Sequence, residues 1–445
     1  MFVKHSVKWS RVAIGACGSV AGSVMAAGLL AVVPVSSAHA QSTSCAAAWS
    51  AGTVYTAGDT ASENGINYLA NWWTRGDDPA THNGGSGSGQ PWTSQGSCTG
   101  SSGGGDGGGG DSGGGNGGGT GTPPANPPAD NFIFSPYKDV TINLNWNTNI
   151  MSTKVTGSAI PVVGSGGLTP GVLPNLHAIT LAFATGACGS ESWGGVSADA
   201  FANANIGTLD SNNINYVVST GGQAGTFTCS SPSGMVQFIQ RYLTPHMLGV
   251  DFDIEGGQNQ QQINDLVNAV AYAENQYPTL RFSFTLATLA ASDGSYGGVN
   301  SLGNEVIQAI QAAGLQHYTI NLMTMDYGSA GSGVCVVSNG QCEMGQSTIQ
   351  AVNNLEHTYG ITPDHIEVTP MIGRNDVSSE IFTAADVDTV STYAINQGLA
   401  GVHFWSLDRD TPCSGSTDYA SPTCNSVSGT SQLQYTKRFL TDLGQ

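Results

Sequence analysis

The sequence has 445 residues and a formal net charge of −19, and only 10% of its residues are charged. A chain of this length can form more than one domain with a sizeable core. The acidic balance argues against nucleic acids and anionic membranes as partners, because both require basic patches. We therefore expect a neutral or cationic partner.

The first forty residues have the pattern of a secretory signal peptide. Lys4, Lys8 and Arg11 precede a long apolar run that ends in the small residues SSAHA. This pattern predicts cleavage after Ala40, so residues 1–40 are removed. The length of the run also suits a retained membrane anchor, but the polar QSTS that follows favours cleavage. No later stretch is apolar enough to span a bilayer, and we expect a secreted, extracellular protein with no membrane attachment after cleavage.

Eight cysteines follow the predicted signal peptide. An even number in an exported protein predicts disulfides, although the sequence alone leaves their connectivity open. Proximity along the chain suggests Cys45–Cys98, Cys335–Cys342 and Cys413–Cys424, which leaves Cys188–Cys229. No CxxC spacing or paired-histidine motif is present, so a zinc site is not expected.

A Gly-rich and then Pro-rich segment, residues 99–130, cannot bury a core and is predicted to be a linker. It separates a small unit, residues 41–98, from a large one, residues 131–445. The turn signals AGD and NG between short apolar stretches predict a small all-β unit. A unit of this size is near the lower limit for independent folding, which makes a Cys45–Cys98 disulfide reasonable.

The large unit alternates strand-like and helix-like segments. The predicted strands are 141–146, 178–184, 214–220, 248–254, 281–288, 318–325, 365–372 and 401–407. The predicted helices between them are 233–243, 262–276, 301–314, 347–360 and 383–398. Eight strands with intervening helices predict an α/β fold of the (β/α)8 TIM barrel type. A doubly wound sheet is the alternative, but no early Gly-rich phosphate turn is present.

One predicted strand, LGVDFDIEGG, carries three carboxylates at every second position, Asp251, Asp253 and Glu255. Side chains two apart on a strand share a face, about 7 Å apart. In a barrel that face is the interior, which leads to the rim where active sites lie. Like charges and burial raise pKa values, so Glu255 at the rim can hold a proton and act as a general acid.

Two other interpretations of these acids are weaker. DFDIEG resembles the start of a calcium loop, but position 12 is Gln262 rather than the glutamate of an EF-hand. A structural hydrogen-bond cluster inside the barrel is the second alternative.

With these motifs, the large unit resembles glycoside hydrolase family 18, which includes chitinases. The family signature DxxDxDxE on the fourth strand ends in Asp251, Asp253 and Glu255, and its first Asp is replaced by Leu248. Ser219 to Gly222 match the family's SxGG motif. The family's MxYD motif is represented by Met323 to Asp326, with Met325 in place of the Tyr. The resemblance covers most of residues 140 to 410.

The resemblance implies a substrate-assisted reaction that retains the β configuration. Glu255 would be the general acid and base, Asp253 would bind the acetamido N–H, and Asp251 would share a proton with Asp253. No metal or organic cofactor is needed. Because Leu248 replaces the first Asp of the motif, we expect this departure to affect the tuning of the remaining acids more than the reaction itself.

Five further residues are assigned to substrate binding by the same resemblance: Met323, Met325, Asp326, Tyr327 and Trp405. Trp405 would stack on the sugar that reacts. Met325 has no hydroxyl, so Tyr327 is the candidate for steadying the acetamido group, if both lie on a regular strand. The alternative is that Tyr327 only closes the barrel rim.

The small unit resembles the chitin- and cellulose-binding modules of carbohydrate-binding families 5 and 12. Trp49, Tyr55 and the stretch ANWWT carry the resemblance. Adjacent Trp72 and Trp73 point to opposite faces of a strand, so one of them can stack on a sugar chain. Tyr55 is predicted to extend that binding face, and Trp92 is predicted to lie in the core.

Together these features predict a secreted, monomeric chitinase that binds chitin and chitooligosaccharides. An endo-β-N-acetylglucosaminidase acting on N-glycans, or a sugar-binding protein without catalysis, are the alternatives.

Overall fold

A computed structural model of the chain describes residues 45–51, 53, 55, 60–70, 74, 77–84, 90–98 and 131–445. These residues form two compact units, one on each side of residues 99–130. The predicted signal peptide, the predicted linker and the two tryptophans Trp72 and Trp73 lie outside the described residues. Within the described ranges, no helix is long and apolar enough to cross a membrane.

The described part of the small unit contains an antiparallel sheet of three strands, Thr60–Glu63, Ile66–Ala70 and Trp92–Ser97. The first two strands are joined by Asn64 and Gly65, both with positive φ, as a tight hairpin turn requires. Trp92 is fully buried, and its indole N–H donates to the Asp77 carbonyl at 2.8 Å. The Cys45–Cys98 disulfide closes the unit. The all-β prediction and the core position of Trp92 are confirmed.

The large unit is a closed barrel of eight parallel strands, as predicted. The strands are β1 (Ile133–Phe134 continued by Tyr137–Asp139), β2 (Ala178–Ala187), β3 (Asn215–Gly221), β4 (Met247–Asp253), β5 (Arg281–Leu289), β6 (Tyr318–Thr324), β7 (Ile366–Pro370) and β8 (Gly401–Val402). Each strand pairs with its neighbours in chain order. The first segment of β1 pairs with β8 and the second with β2, which closes the ring.

Seven helices are associated with the described barrel strands. They are α1 (Ala198–Ser211), α2 (Pro232–Tyr242), α3 (Gln260–Gln276), α4 (Ser301–Ala313), α5 (Met344–Tyr359), α6 (Ala384–Gln397) and α7 (Gln434–Asp442). The five predicted helices correspond to α2 to α6. Their ends carry the expected signals: Asn259 and Thr383 form capping boxes, and Gly314, Gly360 and Gly398 end helices in the left-handed conformation.

The first barrel strand was predicted in the wrong place. Residues 141–146 form turns rather than a strand, with Asn143 at φ 60° and Trp146 60% exposed. The strand lies earlier, at 133–139, where Pro136 interrupts it because proline has no N–H for the ladder. Helix α1, rich in Ala and Asn, was not predicted.

Three disulfides stabilise the loops that follow the barrel strands. Cys188–Cys229 joins the loops after β2 and β3, Cys335–Cys342 closes a turn after β6, and Cys413–Cys424 closes one after β8. With Cys45–Cys98 these are the four predicted pairs. The rim at the carboxyl ends of the strands is therefore covalently braced.

Candidate active site

The three carboxylates of β4 form a ladder from the barrel interior to its rim. Asp251 is 2% exposed and Asp253 is 5% exposed, whereas Glu255 follows the end of the strand and is exposed. The residues that alternate with them, Val250, Phe252 and Ile254, are buried in the main hydrophobic core. The period-two pattern therefore places Asp251 and Asp253 on one face of β4, as predicted, and Glu255 follows beyond the end of the strand at the rim.

Asp251 accepts hydrogen bonds from three strands. Ser219 on β3 donates to Oδ2 at 2.5 Å, Tyr137 on β1 donates to Oδ2 at 2.9 Å, and Thr285 on β5 donates to Oδ1 at 2.7 Å. Ser219 of the SxGG motif therefore contacts the acid ladder directly. Sequence reasoning missed the other two donors, because no local pattern shows which residues meet across a barrel.

A second layer orients these donors. The side-chain amide of Asn321 on β6 donates to the Tyr137 hydroxyl at 3.0 Å and to the Thr285 hydroxyl at 2.8 Å. The oxygen of Asn321 in turn accepts from Thr369 on β7 at 2.8 Å. Because Asn321 donates to both hydroxyls, their own protons are free to point at Asp251.

The acids inside the barrel have raised pKa values. Burial raises the pKa of Asp253 well above its ordinary value, and the charges on Glu255 and Asp251 add to this. Burial also raises the pKa of Asp251, although its three hydrogen-bond donors oppose the shift. Asp253 therefore has the stronger tendency to hold a proton.

Glu255 stands among other acids at the rim. Although the residue reaches the surface, the surrounding protein removes water from its carboxylate and so raises its pKa. The charges on Asp326 and Asp376 raise this pKa further, and a hydrogen bond from the backbone of Gln223 opposes them. This increase in the pKa of Glu255 agrees with the role of a proton donor.

The end of β3 lies directly against the acid ladder. The amide of Gly222 donates to the carbonyl of Asp253 at 3.0 Å. Gly221 has φ +84°, and a Cβ there would lie 2.1 Å from the same carbonyl oxygen. The SxGG motif therefore brings two strands together where a side chain would not fit.

Aromatic rings lie beside the ladder. Trp405, in the segment after β8, is half-buried and stacks on Phe183 of β2, with ring centroids 5.5 Å apart and planes at 18°. The Tyr137 ring lies 6.1 Å from each of them. Tyr137, which donates a hydrogen bond to Asp251, therefore lies between the acid ladder and Trp405. The sequence analysis did not predict that Phe183 lies here.

The end of β6 differs from the prediction for Tyr327. The strand ends at Thr324, and Asp326 has φ 52°, so Met325 and Tyr327 do not lie on one regular strand. Tyr327 is 5% exposed, belongs to the hydrophobic core and lies beside Thr348 of α5. This core position favours the alternative that Tyr327 closes the barrel rim, and its assignment to substrate binding stays a prediction.

The other predicted residues of this segment remain at the rim. Met323 and Met325 are half-buried, and Asp326 is exposed. Asp326 Oδ1 accepts from the Val377 amide at 2.8 Å. Although Asp326 reaches the surface, partial loss of water around its carboxylate raises its pKa, with a further contribution from Asp376.

In the small unit, Tyr55 occupies a core position. It is 8% exposed, its ring lies 4.9 Å from Trp92, and its hydroxyl accepts from the Ser50 amide at 2.9 Å. This burial does not support the assignment of Tyr55 to a binding face, and that assignment stays a prediction.

A charged layer lies deeper in the barrel. Glu367 on β7 accepts from Arg281 at 2.6 Å and from Ser283 at 2.9 Å, and His403 lies 3.6 Å away. Burial alone would raise the pKa of Glu367, but Arg281 and His403 outweigh it and hold that pKa well below its ordinary value. Among the described residues no group of three or more His, Cys, Asp or Glu could hold a metal ion.

Fold and site together define a (β/α)8 barrel with a ladder of three acids, all with raised pKa values, that opens at the carboxyl ends of the strands. Residues 48–93 of the small unit match the family model "Carbohydrate-binding module family 5/12". A barrel with this fold is the "active domain 2 of chitinase from Pyrococcus furiosus", which is 22% identical with a TM-score of 0.54, covering 72% of this chain and 97% of that one. This likeness establishes the fold.

Two curated proteins are also similar. The "Probable bifunctional chitinase/lysozyme" of Escherichia coli (strain K12) is 31% identical over 180 residues, covering 37% of this chain and 19% of that protein. "Endochitinase 11" of Metarhizium anisopliae is 30% identical over 180 residues, covering 37% of this chain and 33% of that protein. The match therefore spans a third or less of each relative.

Proposed function

We propose that this chain is a secreted chitinase that hydrolyses β-1,4 bonds between N-acetylglucosamine units of chitin. The ladder of Asp251, Asp253 and Glu255, with all three pKa values raised, is the observation that carries the proposal. The chitinase-like fold and the match to the carbohydrate-binding module support it. The four disulfides agree with an oxidising, extracellular location.

The proposed organisation is a signal peptide (1–40), a chitin-binding module (41–98), a linker (99–130) and a catalytic barrel (131–445). The module holds the insoluble polymer and the linker gives reach, so tethering raises the concentration of cleavable chain near the barrel. We propose a monomer without cofactor.

In the proposed reaction the substrate supplies its own nucleophile, which makes it an exception to the two-carboxylate scheme. The oxygen of the N-acetyl group attacks the anomeric carbon, and Glu255 donates its proton to the glycosidic oxygen as that C–O bond breaks. Asp253 accepts a hydrogen bond from the acetamido N–H and stabilises the positive oxazolinium ion. Water then attacks the anomeric carbon as its bond to the acetamido oxygen breaks, Glu255 takes a proton from this water, and the product retains the β configuration with its N-acetyl group restored.

The network around Asp251 supports this division of roles. With three donors, Asp251 is best suited to remain an acceptor. Asp253 Oδ1 is buried without a hydrogen-bond partner, so it is the oxygen available to a substrate N–H. Trp405 would stack on the apolar face of the reacting sugar.

A sugar-binding protein without catalysis is a second candidate, and the end of β6 favours it. Met325 has no hydroxyl, Tyr327 is buried in the core, and the Tyr137 hydroxyl is engaged with Asp251. An endo-β-N-acetylglucosaminidase is a third possibility, which a match to a carbohydrate-binding module does not favour.

Product analysis separates these candidates. The purified chain from residue 41 is incubated with colloidal chitin, N-acetylglucosamine hexamer and an N-glycoprotein, beside Glu255→Gln. Glu356→Gln is the matched control, because burial raises the pKa of Glu356 to about 7 but it lies on helix α5. We expect β-anomeric oligomers from wild type and Glu356→Gln and none from Glu255→Gln. Binding without release of sugar by any variant would contradict catalysis, and cleavage of the glycoprotein alone would identify the third candidate.

A further inference from the structure

We propose that Glu380 is a positioning residue whose carboxylate holds the turn Asp326–Gly328, and thereby fixes the Asp326 carboxylate at the barrel rim, where Glu255 also lies. The effect on catalysis rests on the proposed function, whereas the effect on the turn and on Glu255 does not. Nothing in the sequence motifs or in the comparisons points to Glu380.

Glu380 binds the turn with both of its oxygens. It is 1% exposed, Oε2 accepts from the Tyr327 amide at 3.1 Å, and Oε1 accepts from the Gly328 amide at 2.9 Å. The backbone of Glu380 is itself fixed in the loop after β7, because its amide donates to Val377 at 2.8 Å and its carbonyl accepts from Asn375 at 3.0 Å. The carboxylate is therefore a rigid link between the loops after β6 and β7.

The same loop contacts Asp326 directly. The Val377 amide donates to Asp326 Oδ1 at 2.8 Å, and Asn375 Oδ1 accepts from the Asp326 amide at 3.4 Å. Asp326 has φ 52°, a left-handed conformation that is costly for a residue with a Cβ and persists only where the surroundings impose it. Glu380 supplies the constraint on the two residues that follow.

Only a carboxylate fits this place. Two backbone N–H groups converge on one side chain, so both of its oxygens must accept. In Glu380→Gln the side-chain NH2 would face one of the two amides, and one amide would lose its partner. The change preserves volume and removes one accepted hydrogen bond.

The position of Asp326 affects the proton on Glu255. The charge on Asp326 raises the pKa of Glu255. The charge on Asp326 also raises the pKa of Glu380, which burial brings to about 7, so the two acids repel each other. Removing the Glu380 charge by itself would ease ionisation of Asp326 and so raise the pKa of Glu255. Releasing the turn would let the Asp326 carboxylate move away from Glu255 and would lower the pKa of Glu255. The two effects have opposite signs.

The first test concerns the turn. Hydrogen exchange of peptides covering 325–330 is measured by mass spectrometry at pH 8 in the full mature chain, with Glu356→Gln as the control. We expect exchange about tenfold or more faster in Glu380→Gln, because losing a charge-assisted hydrogen bond changes an opening equilibrium by that order. Unchanged exchange, with an intact thermal transition, overturns the proposal.

The second test concerns Glu255. Its pKa is measured by NMR titration of 13C-labelled glutamate, assigned with Glu255→Gln. We expect Glu380→Gln to lower it by about half a unit or more, Asp326→Asn to lower it also, and the double variant to show no further decrease. A raised pKa, or additive effects, would mean that Glu380 does not act through Asp326.

These measurements need no catalysis, so they remain decisive if the chain hydrolyses no chitin. If it does, the basic limb of the kcat profile against pH should move down in Glu380→Gln and stay in place in Glu356→Gln. An unmoved limb together with a lowered Glu255 pKa would overturn the role of Glu255 as the acid, and leave the positioning role intact.

Discussion

The hydrogen bond from Ser219 to Asp251 allows a quantitative test of the acid ladder. Both side chains are buried, and the hydroxyl donates to Oδ2 at 2.5 Å. Ser219→Ala removes this donor and leaves those from Tyr137 and Thr285. The substitution removes a single oxygen atom, so its effect is mainly electrostatic.

The expected size follows from the charge of the acceptor. A hydrogen bond to an ionised group contributes about 1.5–3 kcal/mol, whereas one to a neutral group contributes about 1 kcal/mol. The difference, about 1 kcal/mol or more, corresponds to an increase of about one unit in the pKa of Asp251. We therefore expect Ser219→Ala to lower the free energy of unfolding by about 2 kcal/mol when Asp251 is ionised and by about 1 kcal/mol when it is protonated.

The sign of the pH dependence follows from burial, which raises the pKa of Asp251 in the folded state. A raised folded-state pKa favours the fold at low pH, and that stability is lost as pH rises through the folded-state pKa. Ser219→Ala raises the folded-state pKa of Asp251 further, so the variant loses more stability than the wild type as pH rises. The cost of Ser219→Ala should therefore grow as pH rises.

Urea unfolding of the mature chain between pH 4.5 and pH 8.5, followed by tryptophan fluorescence, measures this cost. Ser283→Ala is the matched control: the Ser283 hydroxyl donates to Glu367 Oε2 at 2.9 Å, and the pKa of Glu367 lies well below its ordinary value. The stability cost of Ser283→Ala should therefore be constant between pH 4.5 and pH 8.5. If both variants show the same pH dependence, the titrating partner is not Asp251 and the reasoning is refuted.

Three further predictions concern stability. Gly221→Ala should lower the free energy of unfolding by about 2 kcal/mol or more, because its Cβ would lie 2.1 Å from the carbonyl oxygen of Asp253 at a positive φ; an unchanged urea midpoint would contradict this. Lys138→Met should cost about 3–5 kcal/mol, since it leaves the buried carboxylate of Asp408 without its partner at 2.8 Å, and adding Asp408→Leu should restore most of the loss in the same assay. Replacing both cysteines of the Cys45–Cys98 disulfide by serine should cost the small unit about 4 kcal/mol, given a sequence separation of 53. Limited proteolysis should then cut residues 45–98 first. Resistance equal to that of the wild type would show that the core of this unit is stable without the disulfide.

Local sequence patterns are enough to predict the barrel and the ladder. Seven of the eight strands, five helices and the common face of Asp251 and Asp253 follow from patterns within one segment, because a period of two or 3.6 residues and the capping residues act locally. The exception among the strands is β1, where Pro136 interrupts the pairing and makes the segment look unlike a strand.

The residues that surround the acids become neighbours only in the tertiary structure. Tyr137, Thr285 and Asn321 lie on strands separated by up to 184 positions in sequence, yet they meet in one hydrogen-bond network. It also placed Tyr327 in the outer core and Glu380 under the turn at Asp326. These contacts depend on strand register around a closed barrel and on where a strand ends, and neither is a property of any single stretch of sequence.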